Sequence, residues 1–148
     1  MPVRTSEAVW KGTLVGGVGE MKTGSGGIKF PYSFSSRFEA GKGSNPEELI
    51  GAAHAGCFSM AFAGILEHAG HVPASIKTVA RVAIEKDAAG FAITSIDLAT
   101  EASVSGLDET TFQKLAEEAK RGCPVSRALA GTKISVAATL LPPDAAKK

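Results

Sequence analysis

The chain has 148 residues, of which 44% are hydrophobic and 21% are charged, and its formal net charge is +1. These values are typical of a folded domain of ordinary size and exclude an intrinsically disordered chain. The 16 Lys and Arg residues are scattered along the sequence. A nucleic-acid-binding protein, which needs a basic face, is therefore not expected.

Short β-like runs separated by glycines make up the first 42 residues. The runs are AVWKGTLV, GGVGE and IKFPYSFSSRFEA, and such runs are typical of strands joined by tight turns. Residues 1–42 therefore predict two or three strands, with Arg37 on the last of them. The N-terminal residues MPVRTSEAVWKG lack the apolar stretch of a secretory signal, so we expect a cytoplasmic protein whose thiols are kept reduced.

A long central helix is predicted over residues 45–70. Asn45 can cap it, Pro46 occupies the favoured first position, and Glu48 completes a capping-box pattern. The apolar run from Ile50 to Leu66 is shorter than the about 20 strongly apolar residues that a membrane span requires. We therefore expect a buried core helix and no association with a membrane.

Apolar side chains point in every direction around this helix, which must therefore be buried on all sides. Each glycine inside a helix costs about 0.5–1 kcal/mol relative to alanine, and a second helix packed closely alongside would offset that cost. We therefore predict an obligate homodimer in which two central helices pack together. The alternative is a helix buried wholly within one subunit. The small residues are Gly51, Ala52, Ala53, Ala55, Gly56, Ala61, Ala63 and Gly64.

The remainder of the chain predicts a hairpin, a second helix and a final strand. Residues 75–105 alternate around the turn DAAG, which indicates a β-hairpin. Residues 108–141 begin with an amphipathic helix capped by Asp108, pass through Cys123 into a short helical turn and end in the strand KISVAATLL. This order predicts an α+β fold in a single domain, residues 1–148, with a frayed tail after Leu141.

Cys57, near the middle of the central helix, is either a small core residue or a reactive thiol. Burial in an apolar helix disfavours the thiolate, so the thiol would be inert without a positively charged neighbour. Arg37 is the cation best placed before the helix, and Glu47 could hold its guanidinium with both carboxylate oxygens. Glu39 is an alternative anion for Arg37.

Glu47 and Cys57 are ten residues apart. On one straight helix this separation is about 15 Å along the axis and about 80° around it. The two residues therefore cannot share a site within one subunit unless the helix breaks. In a dimer with antiparallel central helices, Arg37 and Glu47 of one subunit can reach Cys57 of the other. The small residues of the helix and the separated groups indicate the same dimer.

Two motifs, RFEAGKGSNPEELIGAAHAGCFSMA and AKRGCPVS, closely resemble the OsmC/Ohr family of osmotically inducible and organic hydroperoxide resistance proteins. The resemblance covers nearly the whole chain. His54-Ala55 before Cys57, and Arg37 close to the central helix, are similar to the OsmC branch. The Ohr branch usually has a tyrosine in place of His54 and an arginine in a glycine-rich N-terminal segment, which here, LVGGVGEM, has none. Gly56 replaces an alanine that is frequent among relatives.

The resemblance implies an OsmC-like intertwined homodimer, with antiparallel sheets around long central helices and two active sites at the subunit interface. It also implies a thiol-dependent peroxidase that reduces organic hydroperoxides and hydrogen peroxide. Cys57 would form the sulfenic acid, Cys123 would resolve it as a disulfide, and Arg37 and Glu47 would activate the thiol. No metal, haem or flavin is implied. The external reductant would be a dithiol, with a dihydrolipoyl group on a lipoyl protein as the family's candidate.

Three apolar residues near Cys57 are candidates for an apolar substrate pocket: Phe58, Met60 and Phe62. Ordinary core packing is the alternative for them. His54 is interpreted as a packed interface histidine, with a role in tuning the thiol as its alternative. The competing function is a non-catalytic dimer that binds an apolar ligand and has idle thiols.

The histidines do not predict a metal site. A zinc site needs four converging ligands, and His68 lies eleven residues beyond Cys57, about 16 Å along a straight helix. Ser126 and Arg127, which follow Cys123, are interpreted as a local cap and a solvated charge. Stabilisation of the resolving loop is the alternative role for this pair.

Overall fold

The structure, a computed structural model, describes residues 1–142. The predicted frayed tail lies, except for Pro142, outside the described residues. The chain forms two compact units, Met1–Leu49 and Ile50–Lys148. The prediction of a single domain stays a prediction.

Three antiparallel strands form the first unit, as predicted: β1 (Ser6–Lys11), β2 (Val18–Thr23) and β3 (Lys29–Tyr32). Gly19 of β2 lies between Trp10 of β1 and Tyr32 of β3 in the register of the sheet. The two rings are 5.3 Å apart between centroids, and a methyl group at position 19 would overlap both of them. Glycine at this position therefore allows the two rings to meet across the sheet.

The predicted third strand ends earlier than expected, and the assignment of Arg37 to a strand was wrong. A short helix, α1, spans Phe34–Phe38 and carries Arg37 in its last turn. Ser33 and Ser36 form a reciprocal capping box: the Ser36 N–H donates to Ser33 Oγ (3.1 Å) and the Ser33 N–H donates to Ser36 Oγ (2.9 Å). These local bonds favour a helical turn over the extended chain that the alternating pattern indicated.

The central helix, α2, spans Pro46–His68, within two residues of its predicted ends. Asn45 Oδ1 accepts from the Glu48 N–H at 2.9 Å, so the predicted cap is confirmed. The Glu48 carboxylate accepts instead from the Ser44 hydroxyl (2.8 Å), where the capping box would have it reach back to the Asn45 N–H. Gly70, with φ of +89°, follows the helix end in the left-handed conformation that favours glycine.

Only one face of α2 is buried within this chain. By length and composition α2 could cross a membrane, but the core helix of a soluble protein has the same properties. The opposite face carries small residues and one exposed methionine. The buried positions are Glu47, Gly51, His54, Phe58, Phe62 and Leu66, and the exposed ones include Ala52, Ala53, Gly56 and Met60.

A second sheet contains the predicted hairpin, β4 (Ser75–Asp87) and β5 (Gly90–Ser103), and the final strand β6 (Lys133–Leu141). The hairpin is antiparallel, with a register shift between Ala83 and Ile84. β6 pairs with β5 in parallel, so the expectation of purely antiparallel sheets was wrong for this one. The predicted α+β class itself is confirmed.

Two helices connect β5 to β6, and they explain the parallel pairing. α3 (Glu109–Gly122) is capped by Asp108, whose Oδ2 accepts from the Thr111 N–H at 2.9 Å. α4 (Pro124–Ala128) follows immediately. A crossover that includes helices can return the chain to the start of the sheet, which a tight turn cannot do. Both predicted helices are confirmed.

Aromatic rings join α2 to α3 in the core of the second unit. The ring centroids of Phe58 and Phe62 are 5.6 Å apart, and those of Phe62 and Phe112 are 5.4 Å apart. All three side chains are fully buried. The same cluster contains Ile96 and Leu98 of β5. The core therefore fixes the rotation of α2, and with it the direction in which Cys57 points.

Truncation of the central ring should destabilise the protein strongly. Phe62→Ala is expected to lower the free energy of unfolding by about 3–5 kcal/mol because it leaves a cavity between two rings. Val72→Ala is the control, since Val72 is 75% exposed, and should stay within about 0.5 kcal/mol of wild type. Urea denaturation followed by circular dichroism measures both. Equal losses in the two variants would contradict this account of the core.

Candidate active site

In the first unit, Arg37 and Glu47 form an ion pair. Arg37 Nη2 donates to Glu47 Oε1 at 2.7 Å, and Arg37 Nε lies 3.1 Å from Oε1 and 3.3 Å from Oε2. The Glu47 side chain is 7% exposed and that of Arg37 is 36% exposed. This fork-like contact fixes the guanidinium plane, and part of the Arg37 side chain remains exposed. Glu47, and not Glu39, is the observed carboxylate partner of Arg37.

Aromatic side chains form a pocket around Arg37. The cavity has a volume of about 240 Å³. The Phe38 ring lies under the guanidinium, with Arg37 Cζ 5.1 Å from its centroid. The pocket therefore combines one charged group with an apolar wall, which suits a ligand that has a polar end and an apolar body. Its lining residues are Trp10, Leu14, Tyr32, Ser33, Phe34, Arg37 and Phe38.

In the second unit, Cys57 and Cys123 come together, although the sequence separates them widely. Both are free thiols; Cys57 is partly exposed and Cys123 is fully buried. Cys57 lies in the fourth turn of α2, and Cys123 is the residue that precedes α4. Each thiol shifts the pKa of the other, so the two sulfurs lie within interaction distance. The two thiols are therefore neighbours in the second unit.

The two thiols have pKa values shifted in opposite directions. Burial raises the pKa of Cys57, and the neighbouring Cys123 raises it further. Burial alone would also raise the pKa of Cys123, but the N–H groups of Ser126 and Val125, the Ser126 hydroxyl and the Cys57 thiol together lower it. The Cys123 sulfur makes no capping hydrogen bond of regular geometry, so its stabilisation comes from these nearby dipoles.

His54 is one helical turn before Cys57 on α2 and has no exposed surface. Its Nε2 lies 2.7 Å from the hydroxyl oxygen of Ser126. Nδ1 is buried and has no hydrogen-bond partner among residues 1–142. Burial lowers the pKa of His54, so the imidazole is neutral at physiological pH.

Comparison with known proteins identifies the family. A model of OsmC-like proteins matches residues 39–137. The chain is 50% identical to peroxiredoxin OsmC of Escherichia coli strain K12 over 127 residues, which are 85% of this chain and 89% of that protein. This chain belongs to the OsmC/Ohr family.

Solved structures share the OsmC fold. The organic hydroperoxide resistance protein OhrB of Bacillus subtilis has a TM-score of 0.69 at 24% identity, and the alignment covers 93% of this chain and 98% of that one. An OsmC-like protein from Mycoplasma pneumoniae has a TM-score of 0.73 at 16% identity and covers 95% and 98% of the two chains. The resemblance stated from the two sequence motifs is thus confirmed at the level of the family.

The residues predicted for this OsmC-family site form two pairs. Arg37 meets Glu47 in one compact unit, and Cys57 meets Cys123 in the other. The roles assigned to these four residues stay predictions.

The three residues predicted to line a substrate pocket are not brought together. Phe58 and Phe62 are fully buried in the core, whereas Met60 is 80% exposed on the opposite face of α2. Their role in substrate binding stays a prediction.

Among residues 1–142, no three side chains of His, Cys, Asp or Glu are grouped so that they could hold a metal ion. His68 and His71 each bond to a backbone carbonyl instead, at 2.7 Å to Gly64 O and 3.3 Å to Ser105 O.

Sequence reasoning missed the aromatic wall beside Arg37 and the contact between His54 and Ser126. The aromatic residues come from three separate segments that meet only through the register of the sheet. His54 and Ser126 are 72 positions apart. The sequence contained one local signal for Ser126. It lies three residues after Cys123, the spacing at which a residue can make a helix-capping contact, so a position close to Cys123 could be expected.

The lowered pKa of His54 predicts that this OsmC-family protein loses stability in mild acid. Below about pH 6.5 the unfolded chain binds a proton that the folded chain does not. The free energy of unfolding should then fall by up to about 1.4 kcal/mol per pH unit, until the folded-state pKa is passed. His54→Gln should remove this slope in urea denaturation between pH 7.5 and 5. His68→Gln is the matched control and should keep the wild-type dependence of stability on pH. If His54→Gln kept that dependence as well, the loss of stability in acid would not come from His54.

Proposed function

We propose that this protein is a cysteine-based peroxidase that reduces organic hydroperoxides and hydrogen peroxide. The observation that carries the proposal is the pairing of a partly exposed Cys57 with a buried Cys123. Such a pair supplies one sulfur that an oxidant can reach and a second sulfur that can close a disulfide. The name of the Escherichia coli relative, peroxiredoxin OsmC, and those of the organic hydroperoxide resistance structures support this chemistry.

The first step takes place at Cys57. Its thiolate attacks the terminal peroxide oxygen, the O–O bond breaks, and the alkoxide leaves and takes up a proton to become an alcohol. The sulfur is thereby oxidised to a sulfenic acid. Cys123 is the poorer candidate for this step, despite its lowered pKa, because no part of it is exposed to a peroxide. Cys123 then attacks the sulfenic sulfur and releases water.

Cys57 needs help to ionise, because both its burial and its neighbour raise its pKa. Arg37 can give that help, since a guanidinium keeps its charge at any physiological pH. Its ion pair with Glu47 holds the guanidinium in a fixed plane, and part of the Arg37 side chain stays exposed. In this proposal Arg37 stabilises the thiolate and then the charge that develops on the peroxide oxygens.

We further propose that this help comes from a second copy of the chain. α2 is one unbroken helix from Pro46 to His68, so Glu47 and Cys57 lie about 15 Å apart along its axis. A homodimer with antiparallel α2 helices removes the difficulty, because Arg37 and Glu47 of one subunit then reach Cys57 of the other. The symmetric arrangement provides two equivalent sites.

The exposed face of α2 supports this dimer. A Cβ atom at Gly56 or Gly64 would meet no atom within 4 Å beyond its chain neighbours and its own stretch of helix backbone, among residues 1–142. Packing within the described part of the chain therefore does not require these glycines. A second helix packed on this face would require small residues there. The first unit also exposes apolar side chains that a partner could cover. They are Val9, Leu14, Val15 and Val18, each at least 51% exposed.

The aromatic pocket beside Arg37 is the proposed site of the organic part of the substrate. Trp10, Tyr32 and Phe34 supply an apolar wall, and Arg37 faces the same cavity. An alkyl hydroperoxide has a polar O–O group on an apolar body, which matches these two features. Phe58, Met60 and Phe62 remain candidates for a further apolar contact. The proposed reductant is a cytoplasmic dithiol, such as a dihydrolipoyl group on a protein, which reopens the disulfide by exchange.

Removal of the two sulfurs should have different effects. Cys57→Ser should lower hydroperoxide consumption with dithiothreitol by several orders of magnitude, to the uncatalysed rate. Cys123→Ser should still react once and should accumulate a Cys57 sulfenic acid that dimedone traps. Mass spectrometry of wild type after one equivalent of cumene hydroperoxide should show a disulfide between residues 57 and 123. Full activity in Cys57→Ser would favour the non-catalytic ligand-binding dimer.

A mixed dimer tests the origin of Arg37. Arg37→Met alone should lower the rate of Cys57 oxidation by about 10²–10³-fold, as loss of a charge-stabilising donor usually does. A purified heterodimer of one Arg37→Met subunit and one Cys57→Ser subunit should recover about half of the wild-type activity, because one of its two shared sites is intact.

Each homodimeric parent is the control for this experiment, and both should be nearly inactive. If Arg37 acted on the cysteine of its own chain, the heterodimer would contain no intact site and would be as inactive as the parents. A monomer in sedimentation at micromolar concentration would contradict the dimer directly.

A further inference from the structure

The buried pair of His54 and Ser126 has no part in the mechanism above, although it adjoins both cysteines. His54 is one turn before Cys57 on α2, and Ser126 is in the first turn of α4, three residues after Cys123. The 2.7 Å contact between His54 Nε2 and the Ser126 hydroxyl ties the two segments together. Both side chains are more than nine-tenths buried, so a polar contact here carries a cost that some function should justify.

The single hydroxyl proton of Ser126 allows only two arrangements. If Ser126 donates to His54 Nε2, then Nδ1 carries the ring proton and remains a buried N–H without a partner. If His54 Nε2–H donates to Ser126, Nδ1 is a bare lone pair and the hydroxyl proton is free to point at Cys123. A buried donor without a partner is rarer in proteins than a buried acceptor without one. The second arrangement is therefore favoured.

We propose that His54 and Ser126 form a donor chain, in which His54 Nε2–H holds the Ser126 hydroxyl and the dipole of that hydroxyl points toward the sulfur of Cys123 and favours its thiolate for disulfide formation. This inference rests on the proposed peroxidase function and adds two positioning residues to it. His54 acts through Ser126 and touches neither the peroxide nor the reacting oxygen. The lowering of the Cys123 pKa by the Ser126 hydroxyl and N–H agrees with this direction of donation.

The chain matters most after Cys57 has been oxidised. In the reduced protein the Cys57 thiol also stabilises Cys123, but oxidation to the sulfenic acid removes that S–H. The donors of α4 then remain. The Cys123 thiolate uses its electron pair to form the S–S bond, and the S–O bond of Cys57 breaks. The oxygen leaves as water, with its own hydrogen and one proton from solvent. The sulfenic sulfur of Cys57 is thereby reduced and the thiolate of Cys123 is oxidised, so that both sulfurs reach the oxidation state of a disulfide.

The first test does not depend on peroxide chemistry. In Cys57→Ser protein the only remaining thiol is Cys123, so thiolate absorbance at 240 nm reports its titration alone. Adding Ser126→Ala or His54→Leu should raise its apparent pKa, because either change breaks the chain. Adding His54→Gln should leave the titration close to that of Cys57→Ser, since the glutamine amide can donate in place of Nε2–H. An unchanged titration in Ser126→Ala would overturn the proposal.

The second test follows the resolving step. Reduced protein with both cysteines is mixed with one equivalent of cumene hydroperoxide, quenched at intervals and analysed by mass spectrometry for sulfenic acid and disulfide. Ser126→Ala and His54→Leu should form the sulfenic acid at the wild-type rate and the disulfide about tenfold more slowly, as expected for loss of a hydrogen bond to a charged group. Ser59→Ala is the matched control. It removes a hydroxyl from α2 that donates to Thr78 Oγ1 at 2.8 Å and should change neither rate.

The outcomes separate the two proposals. If Cys57 is never oxidised, the peroxidase function fails, while the titration of Cys123 still decides whether the donor chain exists. If Cys57 is oxidised and the disulfide forms at the wild-type rate in Ser126→Ala, the donor chain is wrong and the peroxidase stands. If His54→Gln resolves as slowly as His54→Leu, the imidazole acts by its own titration, which also overturns a role as donor.

Discussion

A sulfur must be ionised to attack a peroxide, and burial opposes that ionisation. Cys57 lies on a helix that is apolar around its circumference, and its pKa is raised. The arrangement around it can be understood from this constraint. The helix packs through apolar side chains and fixes the direction in which Cys57 points, but it has no Lys or Arg residue near the thiol. In the proposed mechanism this charge comes from Arg37, which a buried carboxylate holds in place.

The same constraint has a different solution at Cys123. This sulfur is more deeply buried than Cys57, yet its pKa is lowered. Polar groups at the start of α4 replace the water that burial removed. The two thiols thus differ: the pKa of the partly exposed Cys57 is raised, whereas groups in the turn that follows Cys123 lower the pKa of the buried one. In the proposed mechanism the partly exposed sulfur is oxidised by the peroxide, and the buried sulfur then attacks it.

Much of the candidate site could be predicted from the sequence because the relevant patterns are local. The cap and first turn of α2, the position of Cys57 along it and the Pro124 that starts α4 are all set by near neighbours. The pairing of Arg37 with Glu47 was accessible because the two residues are ten apart. The aromatic pocket was not accessible, since its walls meet only through strand register. Nor was the contact of His54 with Ser126, which depends on how α4 packs beside α2.

The sequence by itself determined the α+β class, the family and the order of the elements, because hydrophobic period, capping residues and two specific motifs are readable within short windows. The helical turn that carries Arg37 is set by the local capping box of Ser33 and Ser36, which the alternating pattern concealed. Only the tertiary structure decided that β6 runs parallel to β5 and that Cys57 lies beside Cys123. Each of these depends on contacts between residues far apart in the chain. Their energies come from packing and from the satisfaction of buried polar groups, which no local pattern encodes.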